Sequence, residues 1–176
     1  MSVISVSMCS THGFSKSPTS YIYLLRNQGV QSDAHCSPTP NSNNLRQVHL
    51  VASELFSELS KPDHKGRSYL LSPGAFGENI TTQNIDLINL AEGTKLHFGD
   101  HDGHAVVRVT GLRDPRKRLE EWPKGLLDRC ALKNKRGVVV GRKVGIMGIV
   151  EVEGYIQPGY QIYVEKPKSH KALGNV

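Results

Sequence analysis

The sequence predicts a mainly β domain: a closed or partly closed β-barrel of mostly antiparallel strands with a few short helices. Three observations carry that expectation. Short β-branched and aromatic runs recur along the chain, bounded by turn residues. Glycine is frequent, at 17 of 176 residues, above the usual ~7%. Helical spacing occurs in only two places. Closing such strands into a barrel also removes exposed edges.

The elements follow in order. Val3, Ile4 and Val6 open a β-branched stretch, and residues 21–25 (Tyr-Ile-Tyr-Leu-Leu) form the next apolar run. Residues 48–51 (Val-His-Leu-Val) form a third. Ser53 can cap a helix that spaces Leu55, Phe56 and Leu59 at i, i+1, i+4. Residues 95–98 and 105–109 flank a Gly-Asp-His-Asp-Gly turn and read as a hairpin. Residues 125–135 place Leu126, Leu127, Cys130 and Ala131 on one helical face. The apolar run 144–152 is broken by Gly145 and Gly148, which hints at a bulge or a close backbone approach. Tyr160, Ile162 and Val164 alternate with polar residues, as a half-buried strand does. A chain of this length reads as one domain, over residues 1–167. Residues 168–176 read as a polar tail expected to fray.

Charge narrows the ligand class. Residues 113–143 hold eleven Lys and Arg against four acids, a local +7 on a chain of net +6. One basic stretch on a near-neutral body points to an anionic small molecule or partner met at one place. Three cysteines without CxxC spacing argue against a disulfide framework or a cysteine-rich zinc site. The N-terminus lacks a positive region and a long apolar core, so no secretory signal is expected and a cytoplasmic location fits. No membrane partner is expected. No metal site is expected of His97, His101 and His104, whose places across a hairpin do not define a tetrahedral set.

Several residues could carry chemistry. Asp33 and His35, two apart, share a face if the chain is extended. With Arg46 and His49 they could surround one anion. Arg offers a planar fork for phosphate or carboxylate, and His carries a proton near neutral pH. In Gly74-Ala75-Phe76-Gly77-Glu78-Asn79-Ile80-Thr81, Glu78 supplies an acceptor and Asn79 both a donor and an acceptor. A structural turn explains the same residues. Arg113, Arg116, Lys117 and Arg118 crowd six positions around Pro115, and a solvated loop is the default for such a run.

These segments resemble the MOSC domain family, named for the C-terminal domain of molybdenum cofactor sulfurases. Residues 29–35, Arg46-Gln47-Val48-His49-Leu50, residues 73–82, Gly111-Leu112-Arg113-Asp114-Pro115, residues 145–150 and residues 158–162 occur in the family's order. The resemblance covers roughly residues 3–167. It implies a β-rich barrel that binds the molybdenum cofactor, a pterin with a phosphate tail, or delivers sulfur to it. Stand-alone members are linked with redox chemistry on N-hydroxylated compounds, which implies a redox partner protein. On that resemblance His35 and His49 would be catalytic, moving protons. Asp33, Arg46, Glu78, Asn79, Arg113 and Arg116 would bind the cofactor. Arg116 stands where the resemblance implies a cysteine, and Ser32 where it implies a glycine. Cys36 or Cys130 would have to replace the missing thiol. The family's association with pyridoxal phosphate belongs to the aminotransferase-like domain of full-length sulfurases and is not expected of this chain. The competing expectation is a non-catalytic anion- or nucleic-acid-binding module using residues 113–143. Few aromatics (6%) and no nucleic-acid motif make nucleic acid the weaker partner.

Overall fold

The computed structural model describes residues 1–99, 105–115 and 122–176. In chain order the elements are β1 (Ser2–Met8), β2 (Ser17–Thr19), β3 (Ile22–Leu25), β4 (Gly29–Val30), β5 (Val48–Ala52), α1 (Glu54–Leu59) and β6 (Ile80–Gln83). There follow β7 (Lys95–Phe98), β8 (Ala105–Leu112), α2 (Leu126–Arg129), β9 (Ala131–Lys133), β10 (Val139–Arg142), β11 (Ile146–Val152), β12 (Gly154–Ile156) and β13 (Ile162–Glu165). The expected mainly β architecture with few helices is the one observed. Among the described residues no helix is long and apolar enough to cross a membrane.

Eight strands make one sheet in the order β13-β7-β8-β11-β5-β6-β1-β2. Every pairing is antiparallel except β5 with β6, which run parallel with Leu50 opposite Ile80. β9 and β10 form a separate hairpin, and β12, β3 and β4 a three-stranded sheet. The start of β1 meets the lead into β13 through a single Ser2–Gln161 bridge. Val3 N–H donates to the Tyr160 carbonyl at 2.9 Å and Ile162 N–H to the Met1 carbonyl at 3.0 Å. The β11–β8 ladder shifts register between Met147 and Gly148, the irregularity that the glycine-broken run suggested.

Alternation along the strands divides the apolar residues between two cores. Leu24, Leu50, Ile80, Leu96, Phe98, Val107 and Ile146 fill the larger one. Val51, one residue from Leu50, points the other way and joins Phe56, Leu59, Phe76, Trp122, Leu126 and Cys130. That second core seats α1 and α2 against β5. Phe76 stacks on Phe56 at 5.7 Å and is almost wholly buried, which is worth about 1.5–3 kcal/mol.

Two expectations give way. The helix read over residues 125–135 is a single turn followed at once by β9. Leu126 and Cys130 are buried as helical spacing asks, but Lys133 is opposite Val139 in a hairpin. The tail does not fray. Ala172 bridges Ala91 and Asn175 bridges Leu112, while Leu173 packs on the larger core. Backbone pairing, which composition does not register, holds this polar segment in place.

Candidate functional site: a cationic cavity at the ends of β5 and β6

The parallel pairing of β5 with β6 brings Asn79, just before β6, beside His49. Asn79 N–H donates to the His49 carbonyl at 2.8 Å, and His49 N–H donates to Asn79 Oδ1 at 3.2 Å. Asn79 Nδ2 then reaches the Ser7 carbonyl and Asp33 Oδ2, each at 3.3 Å. One buried amide therefore joins β1, β5 and the turn at residues 31–36. Ser32, at φ +65°, adopts the left-handed conformation in that turn, at a position where the family resemblance implies glycine.

Asp33 is buried and fully engaged. Its Oδ1 accepts from His35 N–H at 3.0 Å and approaches His35 Nδ1 at 3.3 Å. Its Oδ2 accepts from Cys9 N–H at 3.2 Å and pairs with Lys16 Nζ at 2.8 Å. Burial alone would raise the Asp33 pKa. The hydrogen bond from His35 and the Lys16 ammonium outweigh it and hold the carboxyl well below its usual range. Burial also lowers the Lys16 pKa, against the opposing pull of Asp33.

Lys16, His35, Arg46, His49, Asn79 and Arg113 line one cavity of ≈ 120 Å³. Among the described residues, none that lines it is acidic. His49 is buried, and Nε2 lies 2.8 Å from the Val144 carbonyl, so that nitrogen carries the donated proton. Burial, followed by the charge of Arg113, keeps the His49 pKa well below the ordinary histidine value. Arg113 lies with its guanidinium 5.3 Å from the centre of the Trp122 ring. Burial and the neighbouring Arg46 charge lower the Arg113 pKa to about 10, so it remains a cation at neutral pH. Its Nη1 is buried with no acceptor among the described residues. Arg46 Nη1 donates to the carbonyls of Asp114, at 3.4 Å, and Val176.

Asp33, expected to bind the cofactor, pairs with Lys16 and is not itself among the lining residues. Glu78 does not line the cavity. Its carboxylate accepts from Gly74 N–H (2.6 Å), Phe76 N–H (3.0 Å) and Thr81 Oγ1 (3.0 Å), which fixes the loop ahead of β6. Burial raises its pKa despite those bonds. Arg116, His101 and His104 lie outside the described residues. His97 Nε2 pairs with Glu165 at 2.9 Å. No thiol lines the cavity: burial raises the Cys36 pKa and lifts that of Cys130 to about 12. Cys9 is half-buried, and hydrogen bonding with Thr11 lowers its pKa. Lys16 is the residue the sequence reading did not single out. No pattern around Ser15-Lys16-Ser17 marks it; folding alone sets it against Asp33.

The β-rich fold and the segments that build this cavity place the chain in the MOSC domain family, whose sequence profile matches residues 35–163. Among solved structures it is similar to YuaD from Bacillus subtilis, with a TM-score of 0.70 at 20% identity, covering 95% of this chain and 96% of that one. YiiM from Escherichia coli is similar with a TM-score of 0.64 at 16% identity, covering 98% and 73% respectively. YiiM from Geobacillus stearothermophilus gives 0.59 at 20% identity, covering 93% and 73%. At these identities the likeness is one of fold. No curated protein matches the chain.

Proposed function

We propose that the cavity bounded by Lys16, Arg46 and Arg113 receives the oxyanion end of the molybdenum pterin cofactor or of a related anionic ligand. The observation that carries this reading is Arg113, a buried guanidinium with one nitrogen that, among the described residues, has no acceptor and shares its cavity with no described carboxylate. A buried unsatisfied cationic donor is costly, and an oxyanion relieves it with charge-assisted bonds. The cavity suits a phosphate-sized group rather than a whole pterin, since pockets for larger ligands run from about 300 Å³ upward. Its donors therefore fit the phosphate end. They do not supply a thiolate to a metal. When bound, the cofactor would supply redox or sulfur chemistry, with N-hydroxylated compounds and a redox partner protein as the family-level expectation.

Arg113, Lys16 and Arg46 bind charge in this scheme. Asn79 keeps the turn carrying Asp33 in register with β5. His35, its side chain 55% exposed, stands at the mouth and moves the proton, while His49 holds the wall. The Ser2–Gln161 bridge is read as the seam of a partly closed barrel that keeps the ends of β1, β5 and β6 together. A second reading, a non-catalytic anion receptor, draws on the absence of a thiol from the lining. In either case the described cations of the basic segment 113–143 do not share one face. Arg113 is in the cavity, Arg129 donates to the Leu59, Lys61 and Arg67 carbonyls, and Lys143 pairs with Glu58.

The test is pterin and molybdenum content after purification from a host that makes the cofactor. Wild type retains pterin and Arg113→Ala loses it. Equal content in the two proteins overturns the reading.

A further inference from the structure

The β9–β10 hairpin has no part in the cavity, and it carries an unusual surface. Among the described residues it pairs with no strand of the main sheet. Asn134 builds its tip: Oδ1 accepts from Arg136 N–H at 2.9 Å and from Val138 N–H at 3.0 Å. Asn134 N–H donates to the Val138 carbonyl at 3.0 Å. The turn is thus fixed, and Lys135 and Arg136 project from its apex. Lys133, Lys135 and Arg136 are exposed, and none has an ion pair among the described residues. Residues 131–143 contain five cations and no acid.

Beside these cations stand Val138, Val139 and Val140, exposed at 57%, 44% and 54%. Val138 lies in the turn ahead of β10 and Val140 at the register shift between Val139 and Gly141, so the apolar surface is the outer edge of the tip and not a regular strand face. Its inner side, at Lys133 and Val139, borders a cavity shared with Asp63 and Asp128. Nucleic acid would meet the cations but gain nothing from valines, and the hairpin has no aromatic ring to stack on a base. An anionic phospholipid surface matches both features, because headgroups take the cations while the interface surrounds the valines.

We propose that the hairpin tip is a peripheral docking wedge for anionic phospholipid bilayers, with Lys133, Lys135 and Arg136 on the headgroups and Val138–Val140 at the acyl boundary. Such binding needs no spanning helix.

The test uses the full chain in sedimentation with vesicles of phosphatidylcholine alone or mixed equally with phosphatidylglycerol. The protein sediments with the mixed vesicles only. Each cation near such a surface is worth about fivefold in partition, so the double variant Lys135→Glu/Arg136→Glu binds at least about 25-fold more weakly. Val138→Asn/Val139→Asn/Val140→Asn keeps every cation and still loses about fivefold or more, because apolar burial adds to the electrostatic attraction. All these side chains are exposed, so thermal unfolding of both variants stays near wild type. Four results overturn the proposal: no binding to either vesicle, equal binding to both, unchanged binding by the asparagine variant, or charge-dependent retention of a duplex oligonucleotide without vesicle binding.

Discussion

Lys16 and Asp33 meet at 2.8 Å with side chains only 7% and 2% exposed, so the cavity's cationic wall is anchored to a buried carboxylate. Removing one member of such a pair strands the other. Lys16→Met is expected to destabilise the protein by about 3–5 kcal/mol. Asp33 titrates in the folded state well below its unfolded value, which lies near 3.9. Its contribution is therefore present above about pH 4 and is lost as the pH falls toward the folded pKa. Urea unfolding at pH 7 and pH 3 checks both points: the wild type loses more stability between them than the variant does.

His49 gives the opposite kind of group the same acid sensitivity. Burial and Arg113 keep it neutral in the fold, whereas the unfolded imidazole takes up a proton below about pH 6.5. The unfolded state then binds more protons, so stability declines as pH drops from that point toward the folded pKa. His49→Gln should flatten this slope between pH 7 and pH 5 and cost about 1 kcal/mol at pH 7 through the lost bond to Val144. The difference between wild-type and variant urea midpoints across that range is the measurement.

Ser32 holds φ +65°, a conformation that costs an ordinary L-residue about 1–2 kcal/mol. Glycine adopts it without strain but loses more chain entropy on folding, about 0.5–1 kcal/mol. Ser32→Gly is expected to gain about 0.5–1 kcal/mol. Calorimetry should show a Tm rise of roughly 1–4 °C, with the Asp33 network unchanged.

Gly145 and Gly159 separate backbone strain from steric conflict. Both have positive φ, +98° and +93°. A Cβ at Gly145 would lie 2.2 Å from the Leu50 carbonyl oxygen, whereas one at Gly159 would meet nothing within 4 Å. Gly159→Ala should cost about 1–2 kcal/mol, the strain alone. Gly145→Ala adds displacement of β5 and should cost about 2 kcal/mol more. Denaturant unfolding of the two variants tests the difference; equal losses would refute it.

The strands were legible where alternation and β-branching coincide, as at residues 3–6, 48–51 and 146–152. The Phe76-Gly77-Glu78-Asn79 segment and the Asp33–His35 pair were legible through their family resemblance. Spacing alone could not show that Glu78 turns inward to hold Gly74 and Phe76 while Asn79 faces the cavity, since neighbouring residues differ in role through a loop rather than a period. Lys16 escaped notice because its partner is seventeen positions away and no local pattern joins them. The β9–β10 hairpin was hidden for a related reason. Leu126, Leu127, Cys130 and Ala131 satisfy helical spacing for one turn, and nothing in that spacing marks where the chain straightens. The docked tail holds by main-chain bonds such as Leu112 N–H to the Gly174 carbonyl at 2.7 Å, which side-chain polarity does not report.

The parallel ladder between β5 and β6 has an architectural corollary. To lay β6 alongside β5 in the same direction, the intervening chain must travel the full height of the strands before it can return. That excursion, residues 53–79, delivers Asn79 to its neighbour regardless of the route taken on the way. Descendants of this scaffold can thus lengthen, trim or redecorate the outer part of the detour while the strand alignment stays put. Divergence should accumulate there first and spare the cavity, to which the described part of the excursion contributes only Gly77 and Asn79.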